Sequence, residues 1–119
     1  MPPAVLKLLL APFLLIPLCA QLYAQERTTI WIDVRTPAEF SAIHAEGAIN
    51  IEFQHIKDHI ASVTTDKDAD IQLYCKSGRR SSVAKQSLAE LGYTSAKNAG
   101  GIAAALATYE RQQINSKTK

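Results

Sequence analysis

The hydrophobic pattern separates an apolar amino-terminal block from a remainder in which strand-like and helix-like periods take turns. Residues Thr28 to Val34 (Thr-Thr-Ile-Trp-Ile-Asp-Val) are rich in β-branched and aromatic side chains and nearly continuous in apolar character from Ile30. That is the pattern of a strand covered on both faces, and so central in its sheet. Thr36-Pro37-Ala38-Glu39 has the form of a helix start, with Thr36 as N-cap, Pro37 at the first helical position and Glu39 closing a capping box. A short helix through about Ile43 is predicted. Gly47 interrupts, Ala48-Ile49-Asn50-Ile51 reads as a short extended segment, and Phe53, Ile56, Ile60 and Val63 give a second helix one apolar face.

The polar run from Thr64 to Asp70 has the composition of a surface loop. Ile71-Gln72-Leu73-Tyr74 then reads as a strand with Cys75 at its carboxyl end. Ser81 to Leu91 is helical in pattern, with Ala84, Leu88 and Leu91 on one face and Gly92 as the stop. Ser95 to Asn98 is a candidate last strand, Gly100-Gly101 a turn, Ile102 to Arg111 a closing helix, and the tail from Asn115 to Lys119 a frayed end. Strands alternating with helices imply an α/β sheet.

The amino-terminal block changes what should count as the folded chain. Lys7 is the only charged side chain before Glu26, and the apolar run Leu8 to Leu18 contains Pro12 and Pro17. A membrane span needs about 20 mostly apolar residues. This run is shorter and ends in Leu22-Tyr23-Ala24, a small-residue cleavage site, so residues 1–24 are expected to be a signal peptide and residues 25–119 the domain. The mature chain is then expected in the periplasm, without stable membrane insertion. Lipid attachment at Cys19 is disfavoured because Leu18, immediately before it, is too large for that processing. The mature length suits one compact domain. With Lys7 gone, twelve basic residues face eleven acidic ones, and no basic patch points to nucleic acid. Nothing in the pattern specifies an oligomeric state.

Export also leaves Cys75 without an intramolecular partner in a compartment where disulfides form readily. An inert buried thiol is the bland alternative, since free cysteine is among the most buried residue types. Its surroundings favour chemistry. The run Tyr74-Cys75-Lys76-Ser77-Gly78-Arg79-Arg80-Ser81 puts the thiol at a strand exit and at the mouth of a helix, where ligands bind in open parallel sheets. Backbone N–H groups in such a turn, with a helix N-terminus behind them, stabilise negative charge. Lys76, Arg79 and Arg80 add positive charge that should lower the thiol pKa, and Gly78 lets the backbone curl closely. Arg80 is the best candidate for anion binding or loop bracing, whereas Lys76 and Arg79 also suit a solvated helix start.

Three segments, Ile32-Asp33-Val34-Arg35-Thr36-Pro37-Ala38-Glu39-Phe40, His44-Ala45-Glu46-Gly47-Ala48-Ile49-Asn50-Ile51, and the Cys75 loop in the form Cys-x-x-Gly-x-Arg-Ser, together resemble the rhodanese family, in particular its small periplasmic single-domain members. The resemblance runs through essentially the whole mature chain. It implies a doubly wound α/β domain around a central parallel sheet flanked by helices. It also implies a loop from Cys75 to Arg80 that cradles a persulfide, with Cys75 as the sulfur acceptor and the amides of Lys76, Ser77, Gly78, Arg79 and Arg80 around the sulfane sulfur. Asp33 and Arg35 are expected to brace the fold near this loop, and His44 to be a structural histidine rather than a base. One departure is Ile43, where many members have Gly.

The activity so implied is thiosulfate sulfurtransfer, from a thiosulfate-like donor to cyanide or a thiol, by covalent catalysis needing neither metal nor organic cofactor. His55 and His59 are expected to face solvent, two histidines without a third ligand making a weak metal site. A cysteine phosphatase or arsenate reductase is a poorer fit, because Arg80 comes one position too early for a Cys-x5-Arg loop. A persulfide carrier without efficient turnover is the rival from another class.

Overall fold

The computed structural model describes residues 28–118. The predicted leader, residues 1–24 with Cys19, lies outside the described residues. Four strands, β1 (Ile30–Asp33), β2 (Ile49–Asn50), β3 (Ile71–Cys75) and β4 (Ala96–Gly101), form one sheet in the order β2-β1-β3-β4, every pair parallel. The helices between and after them are α1 (Pro37–Ala42), α2 (Ile56–Val63, entered through a 3-10 turn at Phe53–His55), α3 (Arg79–Glu90) and α4 (Ile102–Lys117). Among the described residues, no helix is long and apolar enough to cross a membrane.

Strand periodicity sorts the core into two halves, because successive side chains point to opposite faces. Ile32 and Val34 of the first strand segment join Ile71, Leu73 and Cys75 of β3 on one face, closed by Ile56 and Ile60 from α2 and Ala84 and Leu88 from α3. Trp31 and Tyr74 point to the other, where Ala105, Leu106 and Tyr109 of α4 cover them. Tyr109 meets Trp31 edge-on at 5.7 Å between centroids, an orientation that suits the ring quadrupoles. Trp31 Nε1 donates to Gln112 Oε1 at 3.0 Å, so the indole is buried without an orphaned donor. Both β1 and β3 are interior strands, and this accounts for their lack of a polar face.

The chain leaves β1 toward β2 on one side and reaches β3 and β4 on the other. The carboxyl ends of β1 and β3 therefore flank the point where strand order reverses, the place at which such sheets bind ligands.

The second half of the chain departs from the sequence expectation in four features. Helix α3 starts at Arg79 rather than Ser81, which puts both arginines in its first turn. Leu91 is not on the buried face: it caps the helix and is 37% exposed. The helix still ends at Gly92, whose N–H donates to Ala89 O while that of Tyr93 donates to Leu88 O. Gly100-Gly101 is not a turn but the end of β4, paired with Tyr74 and Cys75. Finally, α4 runs on through Asn115 to Lys117, so the expected frayed tail is mostly helical.

Candidate active site

Strand β3 delivers Cys75 to the sheet's carboxyl edge, and Gly78 turns the chain into α3 with φ +97° and ψ −10°, a left-handed conformation that a side chain would strain. This turn brings the Gly78 N–H to 2.9 Å from Cys75 Sγ, to which it donates. The Ser81 hydroxyl lies 3.6 Å from the same sulfur. Burial opposes ionisation of the thiol, but the hydroxyl and amide of Ser81 and the amides of Ser77 and Gly78 outweigh it, and the pKa is lowered to about 7. A substantial thiolate fraction thus exists at neutral pH. The residue is 0% exposed, so the sulfur sits at the base of the cradle, beneath exposed Lys76, Ser77 and Arg79.

Arg80 points away from a free anion-binding role. Its Nη1 and Nη2 donate to Glu39 Oε1 and Oε2 at 2.9 and 3.1 Å. Glu39 also closes the capping box with Thr36 at the start of α1, so one carboxylate ties that helix to the cradle. The Arg80 guanidinium, with Thr36 helping, holds the Glu39 carboxyl down to about 2. Because this value lies below the usual 4.5, the link stabilises the fold above pH 4.5 and is lost as pH falls toward 2. Denaturation measured across that range should show the stability of Glu39→Gln, lower than wild type at neutral pH, converging with it as the pH approaches 2.

Beside the cradle, Arg35 Nε and Nη2 donate to the Asp33 carboxylate at 2.9 and 2.7 Å, and Nη2 also donates to Ile43 O at 2.6 Å. Both side chains are buried, 5% and 0% exposed. This pair joins the exit of β1 to the end of α1. Removing one partner would leave the other charge buried and alone, so Arg35→Ala should cost about 3–5 kcal/mol in urea denaturation. His44 stacks on Phe40 at 3.6 Å between centroids, its Nδ1 donating to Phe40 O at 2.7 Å. His55 and His59 are both exposed. Among the described residues, no group of three or more His, Cys, Asp or Glu is arranged to hold a metal ion.

Reading the sequence missed three contributors. Asn50 Nδ2 donates to the carbonyls of Asp33 and Arg35, both at 2.9 Å, and so secures the end of β1. Asn98 Nδ2 donates to Gly78 O at 2.9 Å from across the sheet. Asn98 stands opposite Leu73 in the regular part of the β3–β4 pairing, and the register slips by one residue only after it, past Ala99. Gly101 allows the backbone of Lys76 to lie directly against β4. Ser81, by contrast, follows Arg80 in the motif and is legible locally.

The model of the rhodanese-like domain matches residues 19–107, most of the chain. The chain belongs to the rhodanese family. The thiosulfate sulfurtransferase PspE of Escherichia coli (strain K12) is 46% identical over 72 residues, 60% of this chain and 69% of the relative. A sulfurtransferase of Allochromatium vinosum is 33% identical over 86 residues, 71% of this chain and 78% of that protein. Among solved structures, a rhodanese with anions from E. coli is similar to this rhodanese domain with a TM-score of 0.63 at 43% identity, covering 65% of this chain and 91% of the other. The human single-domain sulfurtransferase TSTD1 gives 0.55 at 26% identity, covering 71% and 85%.

Proposed function

We propose that this chain is a thiosulfate sulfurtransferase that carries sulfur as a persulfide on Cys75, working in the periplasm after a leader, residues 1–24, is removed. The observation that carries the reading is the Cys75 sulfur at the switch point of a parallel sheet, receiving the Gly78 amide at 2.9 Å and held near a pKa of about 7. In the first half-reaction the Cys75 thiolate attacks the outer sulfur of thiosulfate. The donor's S–S bond breaks, and its electron pair leaves on sulfite. In the second, cyanide or a thiol attacks the outer sulfur of the persulfide, and the pair of that S–S bond returns to Cys75 Sγ. Loop amides stabilise the anionic sulfur in between. We assign Cys75 as the catalytic residue and the segment Lys76, Ser77, Gly78, Arg79 and Arg80 as the persulfide-binding loop. Asp33, Arg35 and His44 are structural supports.

The Glu39 partnership of Arg80 speaks against phosphatase chemistry, which needs an arginine free to embrace the phosphate. The full burial of Cys75 favours one second reading, a persulfide carrier loaded slowly as the exposed loop residues yield. The two are separated by assaying thiocyanate from thiosulfate and cyanide, with p-nitrophenyl phosphate in parallel. Sustained turnover supports the enzyme. A single stoichiometric sulfur on Cys75 without turnover replaces it with the carrier, and phosphate release overturns both.

A further inference from the structure

The Ser81 hydroxyl has one proton and three acceptors within reach. Its Oγ is 2.7 Å from Asn98 Oδ1, 3.1 Å from Gly78 O and 3.6 Å from Cys75 Sγ, and the residue is fully buried. The Asn98 amide can be oriented in one way only: Nδ2 donates to Gly78 O, and Oδ1 accepts from Gly100 N–H, both at 2.9 Å. Oδ1 therefore meets Ser81 as an acceptor. A hydroxyl donates one hydrogen bond at a time, and a bond to an ionised partner is roughly twice as strong as one between neutral groups. Which acceptor holds the proton must then depend on the charge of the sulfur.

We propose that Ser81 is a catalytic residue whose hydroxyl donates to Cys75 Sγ when that atom is a thiolate and returns to Asn98 Oδ1 when it is not, with Asn98 as a positioning residue. The inference rests on the persulfide reading above and assigns a donor to each half of it. In the loaded state the inner sulfur is neutral, the negative charge lies on the outer sulfur, and the Ser81 hydroxyl rests on Asn98. When the acceptor takes the outer sulfur, the S–S electron pair stays on Sγ, and the hydroxyl swings about its Cβ–Oγ bond to meet the new thiolate. No proton is transferred. Among the described residues, Arg80 is the charged side chain that acts on the sulfur, and it is already bound to Glu39. Lys76, Ser77 and Arg79 are exposed, and Asn98 is the one polar side chain among residues 98–101 at the neighbouring end of β4, its Nδ2 already bound to Gly78 O, so the movable donor is the Ser81 hydroxyl.

The test is the pH dependence of Cys75 alkylation by iodoacetamide in the full chain, read on the Cys75 peptide by mass spectrometry. It reports the thiolate whether or not thiosulfate is turned over, and so stands or falls apart from the enzymatic reading. Ser81→Ala should raise the midpoint by about one pH unit. Ser81→Val should do the same, while Ser81→Thr, which shares the shape of valine but keeps the hydroxyl, should stay near wild type. Asn98→Ala should shift it the opposite way, downward by about half a unit, because only the neutral-sulfur state loses its shortest bond, the one at 2.7 Å, and falls back on Gly78 O at 3.1 Å. Equal midpoints for the Thr and Val variants overturn the role of the hydroxyl. An upward shift in Asn98→Ala, the signature of a cradle merely loosened, overturns the exchange with Asn98.

Discussion

Cys75→Ser is expected to lower thiocyanate formation by at least about a thousandfold, the scale on which losing a nucleophile registers, while the protein should still unfold cooperatively near the wild-type temperature. Cys75 is fully buried at the end of β3, and serine fits the space left by the thiol and still accepts the Gly78 N–H. What is lost is the nucleophile. A serine hydroxyl stays protonated at neutral pH, whereas the amides and hydroxyl around the Cys75 sulfur bring its pKa to about 7 against burial. For the wild-type chain, sulfur loading should accordingly rise with pH through 7 and level off above it, because the thiolate is the reactive form. Rapid mixing with thiosulfate, followed by mass measurement, reads loading alone. A Cys75→Ser protein that still forms thiocyanate, or a loading rate flat through neutral pH, would contradict the persulfide reading.

The second large effect is expected at Gly101→Ala. A Cβ at this position would lie 2.5 Å from Lys76 O, 3.2 Å from its carbonyl carbon and 3.4 Å from Ser77 Cα. These are backbone atoms, so no side chain can swing aside, and β4 or the cradle must move. Overpacking of this kind costs about 1–3 kcal/mol, or a fall of about 5–20 °C in the melting temperature of a domain this size. The consequence for activity is larger. Gly101 pairs with Cys75 in the sheet, so a displacement there re-aims the loop that serves the sulfur. A misplacement of about 1 Å costs about a hundredfold in rate. Gly92→Ala provides the contrast: φ is +96° there too, but the added Cβ meets only Lys67 Cδ at 3.7 Å, at the far end of α3. It should lose stability and keep its kcat. If Gly101→Ala behaves like Gly92→Ala, the cradle does not depend on its seat against β4.

These predictions draw on different amounts of sequence information. Cys75, Gly78 and Arg80 stand within one short run, and a strand followed by a glycine turn and a helix is built from neighbouring residues, so composition and spacing carried the reading. The capping box at Thr36 and Glu39 was legible for the same reason, and the structure contains both of its hydrogen bonds. Gly101 was read wrongly, as half of a turn, because a Gly-Gly pair is a turn signal and nothing nearby shows that it pairs with Cys75. The length of α4 was underestimated because its final turns are polar, and tail composition resembles frayed chain more than a continuing helix.

By itself the sequence determined the α/β alternation, the family, the place of the thiol and the loop around it, all set by local periodicity and by motifs a few residues long. Tertiary structure alone decided what those groups do to one another. Arg80 is committed to Glu39, 41 positions away, rather than left open to an anion. Ser81 meets Asn98, 17 positions on, because β4 pairs with β3 in a register that sets Asn98 opposite Leu73. Pairing partners and register depend on how distant strands and helices pack, and a single-residue shift reverses which side chains face the site.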